Sequence, residues 1–150
     1  MKRASSSPAA RAALRTKIRS VGLRSTAPRA AVLAHLQSAT TPLSHAEIFD
    51  ALADQGFDRA TIYRNLADLT EAELLSRTDV GDHVWRFEQR RDGPRGSAPE
   101  HPHFMCVDCG EVSCLPGVSV RISATPGIPR AIIAKSVAVQ LKGQCDRCAA

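Results

Sequence analysis

Nowhere does this sequence of 150 residues hold an apolar run approaching the roughly 20 residues that cross a bilayer. Its first residues, MKRASSSPAARAALRTK, also lack the apolar centre of a secretory signal. The expectation is a cytoplasmic protein with no membrane partner. Acid is missing from one end: residues 1–35 hold Lys2, Arg3, Arg11, Arg15, Lys17, Arg19, Arg24 and Arg29 and no Asp or Glu. The net charge is only +5, so it is this one-sided distribution that marks an end facing a polyanion, although Lys2 and Arg3 also suit a solvated tail. Cysteine is scarce, with five in the chain. In a reducing compartment, paired cysteines read as metal ligands rather than disulfides. A chain of this length, 43% hydrophobic, has material for one ordinary core or two small ones, and small domains often need a metal or a partner subunit.

What is present begins with helices. Apolar positions over 9–21 predict an Arg-rich helix stopped by Gly22, then a connector Leu23-Arg24-Ser25-Thr26. Thr26 is placed to cap a second helix with Pro28 in its first turn and Val32, Leu33 and Leu36 as its apolar stripe. Ser44-His45-Ala46-Glu47 fits the capping box, in which a hydroxyl and a carboxylate satisfy free N–H groups, and opens a third helix buried through Ile48, Phe49 and Leu52. Asp58 can cap a fourth helix with Ile62, Leu66 and Leu69 inward, leaving Thr61, Tyr63, Arg64 and Asn65 on its expected exposed face. Runs over 74–79 and 83–89, joined by Val80-Gly81-Asp82, predict a hairpin.

Three helices followed by a hairpin make a winged helix. The fold class is therefore expected to be α+β: an N-terminal winged helix-turn-helix domain and a small C-terminal α/β dimerisation domain with a four-cysteine zinc site. The winged-helix DNA-binding domain, with its basic first helix, is placed at 1–89. A linker at 90–100, polar and rich in Gly and Pro, leads to a metal-binding dimerisation domain at 101–150. There, 136–141 alternates like a strand, and Pro126, Gly127 and Pro129 allow only short helical turns around them.

A helix lying in the major groove needs side chains that read base edges: Arg donates a bidentate pair to guanine, and an aromatic ring touches a thymine methyl. Arg64 and Tyr63 fit those roles. Thr61 and Asn65 suit phosphate or base contacts, Arg24 a backbone or the narrow minor groove, and Arg29 a phosphate. The structural alternative is that an Arg pairs with Asp68 or Glu71 and that Tyr63 packs between helices.

Cys106-Val107-Asp108-Cys109 and Cys145-Asp146-Arg147-Cys148 are two C-x-x-C turns, the pattern by which four thiolates close a tetrahedral, structural zinc site. Cys114 is left over, near His101 and His103, whose spacing on an extended stretch lets both imidazoles face one ion. Glu88, with His83 as a further candidate, can complete that second, regulatory site. Its occupancy would set the angle between the domains. The plainer alternative makes His101 and His103 exposed loop residues and His83 a wing residue.

Taken together, Thr26-Ala27-Pro28-Arg29, His45-Ala46-Glu47-Ile48-Phe49, Ala60-Thr61-Ile62-Tyr63-Arg64-Asn65-Leu66 and His101-Pro102-His103-Phe104-Met105-Cys106-Val107-Asp108-Cys109-Gly110 resemble the ferric uptake regulator family from about Arg15 onward. The resemblance implies a homodimeric repressor of metal-uptake or oxidative-stress genes that binds double-stranded operator DNA. It implies base contacts by Tyr63 and Arg64, minor-groove entry by Arg24 and structural zinc on the four paired cysteines. Glu88, His101 and His103 match the family's usual sensory ligands.

The sequence departs from the family at Leu43 and Val137, where a His is frequent, and in a longer linker. The segment 116–130 is broken where a dimerisation helix is usual. Cys114 stands for a carboxylate, exchanging a hard oxygen for a soft sulfur. The expected function is thus a zinc-sensing repressor, with Fe2+ or Mn2+ as the alternative regulatory metals. Other readings are a peroxide or thiol sensor using Cys114, an architectural DNA binder, and a zinc deaminase suggested by His45-Ala46-Glu47 with Cys106-Val107-Asp108-Cys109. The deaminase reading suffers from Met105 before Cys106 and from a second C-x-x-C competing for the ion.

Overall fold

Helix α1 (Pro8–Ser20) starts where Ser7 accepts the N–H of Ala10 at 3.2 Å and Pro8 needs no amide partner. It places Leu14 and Ile18 inward, and Lys17 and Arg19 lie in its last turn, where cations complement the helix dipole. Helix α2 (Ala27–Ser38) has Pro28 in its first turn, as expected. Thr26 occupies the N-cap position, but its hydroxyl makes no capping bond. The predicted capping box is present in full: Ser44 Oγ accepts the N–H of Glu47 at 3.3 Å, and Glu47 Oε2 accepts the N–H of Ser44 at 2.7 Å. It opens α3 (His45–Ala51). Asp58 caps α4 (Arg59–Glu71) by accepting the N–H of Thr61 at 2.7 Å.

The computed structural model describes residues 7–90, 101–123, 125–134, 137 and 139–150. It divides into two compact units, residues 1–91 and 92–150. Lys2, Arg3, the linker from Arg91 to Glu100, and Ser136 and Ala138 of the expected last strand lie outside the described residues.

In the first unit, β2 (Leu75–Asp79) and β3 (Trp85–Gln89) form the expected hairpin, with Arg77 opposite Phe87. A two-residue strand, β1 (Leu43–Ser44), adds to the other edge of β3, so the sheet order is β1-β3-β2. Leu43 pairs with Phe87 and packs against the core, which is formed chiefly by Ile18, Leu33, Ile48, Ile62, Leu66 and Phe87. The helical stripes and the sheet face meet there, a four-helix unit closed by a small sheet.

The second unit has β4 (His103–Cys106) at its centre. On one side β4 pairs antiparallel with β5 (Val112–Cys114), on the other parallel with β6 (Gln140–Gly143). A parallel pair requires a crossover, and the intervening chain supplies one containing the single-turn helix α5 (Arg130–Ile133). Among the described residues of this crossover, helix is confined to a short turn beside Pro129, as the prolines imply. Gly110, at φ 72°, makes the tight return from β4 to β5 and donates its N–H to the carbonyl of Cys106 at 3.0 Å.

Candidate functional site: a nucleic-acid interface and two metal centres

Helix α4 turns Ile62, Asn65, Leu66 and Leu69 inward, the i, i+3, i+4, i+7 stripe of a helix packed on one side. This leaves Arg64 exposed and Tyr63 60% exposed. Asn65, expected outside, is only 6% exposed, and its Nδ2 donates to the carbonyl of Thr61 at 2.8 Å. Its position, three residues after Ile62 and four before Leu69, was the signal for burial. Thr61 is engaged in the cap, its hydroxyl donating to Asp58 at 2.9 Å.

The guanidinium of Arg29, expected on a phosphate, ion-pairs with Asp68 instead and donates from Nη1 to the carbonyl of Arg24 at 2.7 Å. Its side chain is 12% exposed, so it acts as a brace that ties the Arg24 connector to α4. Arg24 itself is exposed. The exposed cations and aromatic of this group are therefore Arg24, Tyr63 and Arg64, with Arg59 one turn earlier on α4. Arg59 stacks over the ring of Phe49 at 4.4 Å. Beside them, the imidazole of His45 meets Tyr63 edge-on, with ring centroids 5.8 Å apart, and its Nε2 lies 3.0 Å from the carbonyl of Arg59.

His83 sits in the hairpin turn at φ 60°, its side chain 97% exposed and its Nδ1 4.0 Å from Asp79. It belongs to neither group of clustered donors among the described residues.

The four paired cysteines converge in the second unit, their sulfurs all within 4.8 Å of one another. Register explains this: Cys106 ends β4 opposite Gly143 at the end of β6, which brings both C-x-x-C turns to one end of the sheet. Tetrahedral zinc–sulfur bonds of about 2.3 Å require sulfurs about 3.8 Å apart, and Cys109 Sγ lies 3.8 Å from Cys145 Sγ. The backbone N–H groups of Cys109 and Cys145 hold the Cys106 thiol down to about 6. Hydrogen bonding to the Cys145 thiol pushes Cys148 up to about 12, and bonding to Cys106 raises Cys109. Four thiols so crowded oppose one another's ionisation, a conflict that a divalent cation at their centre removes. The donor set fits zinc. A polar strap closes the site: Gln144 Nε2 donates to Asp108 at 2.8 Å, and Arg147 pairs with Glu111.

His101, His103 and Cys114 form a second group, also with ligand atoms within 4.8 Å. His103 faces Cys114 across the β4–β5 ladder, and the ladder is extended by Leu115 donating to the carbonyl of Pro102 at 2.9 Å. The rings of His101 and His103 are 5.0 Å apart and inclined by 54°. His103 is buried and the other two are half-buried. Two imidazoles and a thiolate suit zinc by donor chemistry. Glu88 lies half-buried on β3 of the first unit, opposite Ser76.

The model of the family described as the ferric uptake regulator family matches residues 20–120. The ferric uptake regulation protein of Haemophilus ducreyi is 34% identical over 100 residues, 63% of each chain. The peroxide-responsive repressor of Staphylococcus aureus is 30% identical over 97 residues, 63% of this chain and 61% of its own. The matched stretch thus spans slightly under two-thirds of these relatives' length. The crystal structure of the Vibrio cholerae ferric uptake regulator matches 87% of this chain and 98% of its own, at a TM-score of 0.63 and 26% identity.

Proposed function

The chain belongs to the ferric uptake regulator family, and from that premise we propose that it is a homodimeric, zinc-responsive repressor that binds double-stranded operator DNA in the cytoplasm. The family consists of metal-responsive transcription regulators, not enzymes, which sets the deaminase reading aside. Zinc is favoured by one observation: the sulfur of Cys114 stands with the imidazoles of His101 and His103, a donor set softer than the oxygen-rich sites that suit iron(II) or manganese(II). Glu88 is proposed as the fourth ligand on its donor chemistry, with His83 as its substitute. Reading falls to Tyr63 and Arg64 on base edges and to Arg24 in the minor groove. Exposed Val118, Val120, Ile122 and Ile133 support a partner subunit on the second unit.

The testing experiment is binding of the purified protein to DNA upstream of its own gene, titrated with buffered free zinc and, separately, with iron(II) and manganese(II). The expected outcome is that zinc alone switches binding, and that Cys114→Ala or His103→Ala abolishes the switch while the four-cysteine zinc stays bound. A second reading, thiol or peroxide sensing, is favoured by Cys114 and by likeness to a peroxide-responsive relative. Binding that ignores zinc and is lost on peroxide treatment, but not in Cys114→Ser, selects it.

A further inference from the structure

His45 has no role in the capping box beyond its position: the cap uses Ser44 and Glu47. Its side chain instead leaves α3 and crosses to α4. There its Nε2 lies 3.0 Å from the carbonyl of Arg59, and a carbonyl can only accept, so Nε2 carries the proton and donates. In an α-helix that carbonyl also accepts the amide of the residue four positions on, which is Tyr63. The edge of the same imidazole meets the Tyr63 ring at 5.8 Å and an angle of 85°. His45 is half-buried, and Tyr63 is 60% exposed. One side chain therefore grips both the backbone turn from which Tyr63 springs and the ring of Tyr63 itself.

We propose that His45 is a positioning residue for base readout, holding the Tyr63 ring in the orientation in which it meets DNA. The inference rests on the reading of Tyr63 as a base contact. An exposed aromatic ring has several rotamers open to it, and an edge-on partner on a neighbouring helix selects one of them before DNA arrives. Preorganisation of this kind adds discrimination without adding a contact to DNA. Phe49 and Arg59 brace the same helix junction through their own stacking, so His45 can be changed while the packing of α3 on α4 remains.

The test is selection from a randomised duplex library by the zinc-loaded protein, comparing wild type with Tyr63→Ala, His45→Ala, His45→Phe and the double variant His45→Ala/Tyr63→Ala. Tyr63→Ala is expected to relax preference at a particular base pair. His45→Ala should relax the same pair by roughly two- to tenfold, the scale of an edge-to-face aromatic contact. It should add nothing in the Tyr63→Ala background. His45→Phe, which keeps a ring edge and loses the donor, should restore part of the preference. Melting temperature and zinc content, expected unchanged, separate positioning from general damage. If His45→Ala leaves the Tyr63-dependent pair untouched, or its effect persists without Tyr63, the positioning role is wrong while the reading of Tyr63 stands. If Tyr63→Ala relaxes nothing, both fall, and the loss is traced to the reading of Tyr63.

Discussion

Arg29 shows how little a residue's type says about its duty. Its guanidinium is shared between Asp68 and the Arg24 carbonyl, with the side chain largely covered. Arg29→Ala should therefore lower stability by about 1–2 kcal/mol, the range for charge-assisted hydrogen bonds discounted for the exposure of Asp68. A phosphate contact predicts a different signature, a salt dependence of DNA binding shallower by about one unit of slope. Urea unfolding and a salt titration of Arg29→Ala separate the two, and an unchanged melt with a shallower slope would overturn the structural assignment. Asn65→Ala belongs with it. The variant loses a buried hydrogen bond to Thr61, so a cost of about 1 kcal/mol is expected with base preference intact, which unfolding and library selection check together.

Among the elements, α3 and α4 are set by their first residues, and most of this was legible in the sequence. Ser44, Glu47 and Asp58 announce helix starts through chemistry that acts within four residues, and the structure keeps each of those bonds. The two C-x-x-C turns were legible for the same reason, because the chelating pair is local. What escaped was long-range. Nothing local marks Leu43 and Ser44 as a strand, since a two-residue strand exists only because β3 offers a free edge. Asp68 is legible as the partner of an arginine, but nothing local selects Arg29, 39 residues away, and the contact of His45 with Tyr63 depends on how two helices cross. Asn65 differs again: its polar side chain suggests the outer face, but its place in the apolar period puts it inside.

The caps at these helix starts carry a testable pH dependence. Hydrogen bonds from the N–H and hydroxyl of Thr61 hold the Asp58 carboxyl below its usual value near 3.8. A carboxylate depressed in the folded state contributes stability above its unfolded value and loses it as pH falls through the folded one. Asp58→Ala should therefore melt lower than wild type near neutrality, and the gap should close below pH 3.8. Thermal melts across that range check it; a gap independent of pH would mean that the carboxylate's charge has no part in the cap. Ser44→Ala, which removes the hydroxyl that accepts the Glu47 N–H in the other cap, should cost about 0.5–2 kcal/mol.

The two units differ in what holds them together. The first has a continuous core of apolar side chains from all four of its helices and its sheet. In the second, the buried apolar side chains among the described residues are Pro102, Cys106 and Val112, and Val118, Val120, Ile122 and Ile133 are exposed. Three short strands with so little covered surface do not hold by burial alone. The four-cysteine cluster sits where β4 and β6 end, so an ion there joins the first and last strands of the unit, and binding free energy becomes folding free energy. Removing the metal with a strong chelator should abolish amide-exchange protection in β4, β5 and β6 while α2 and α4 stay protected. The single tryptophan, Trp85, lies in the first unit beside Arg77, so its fluorescence should survive chelation and report an intact winged helix. Returning zinc should restore protection in wild type but not in Cys145→Ser, which keeps the chain's size and lacks the thiolate. Protection of β4 that outlasts the metal would show that the strands stand without it, and the zinc would then be an occupant of this unit and not its staple.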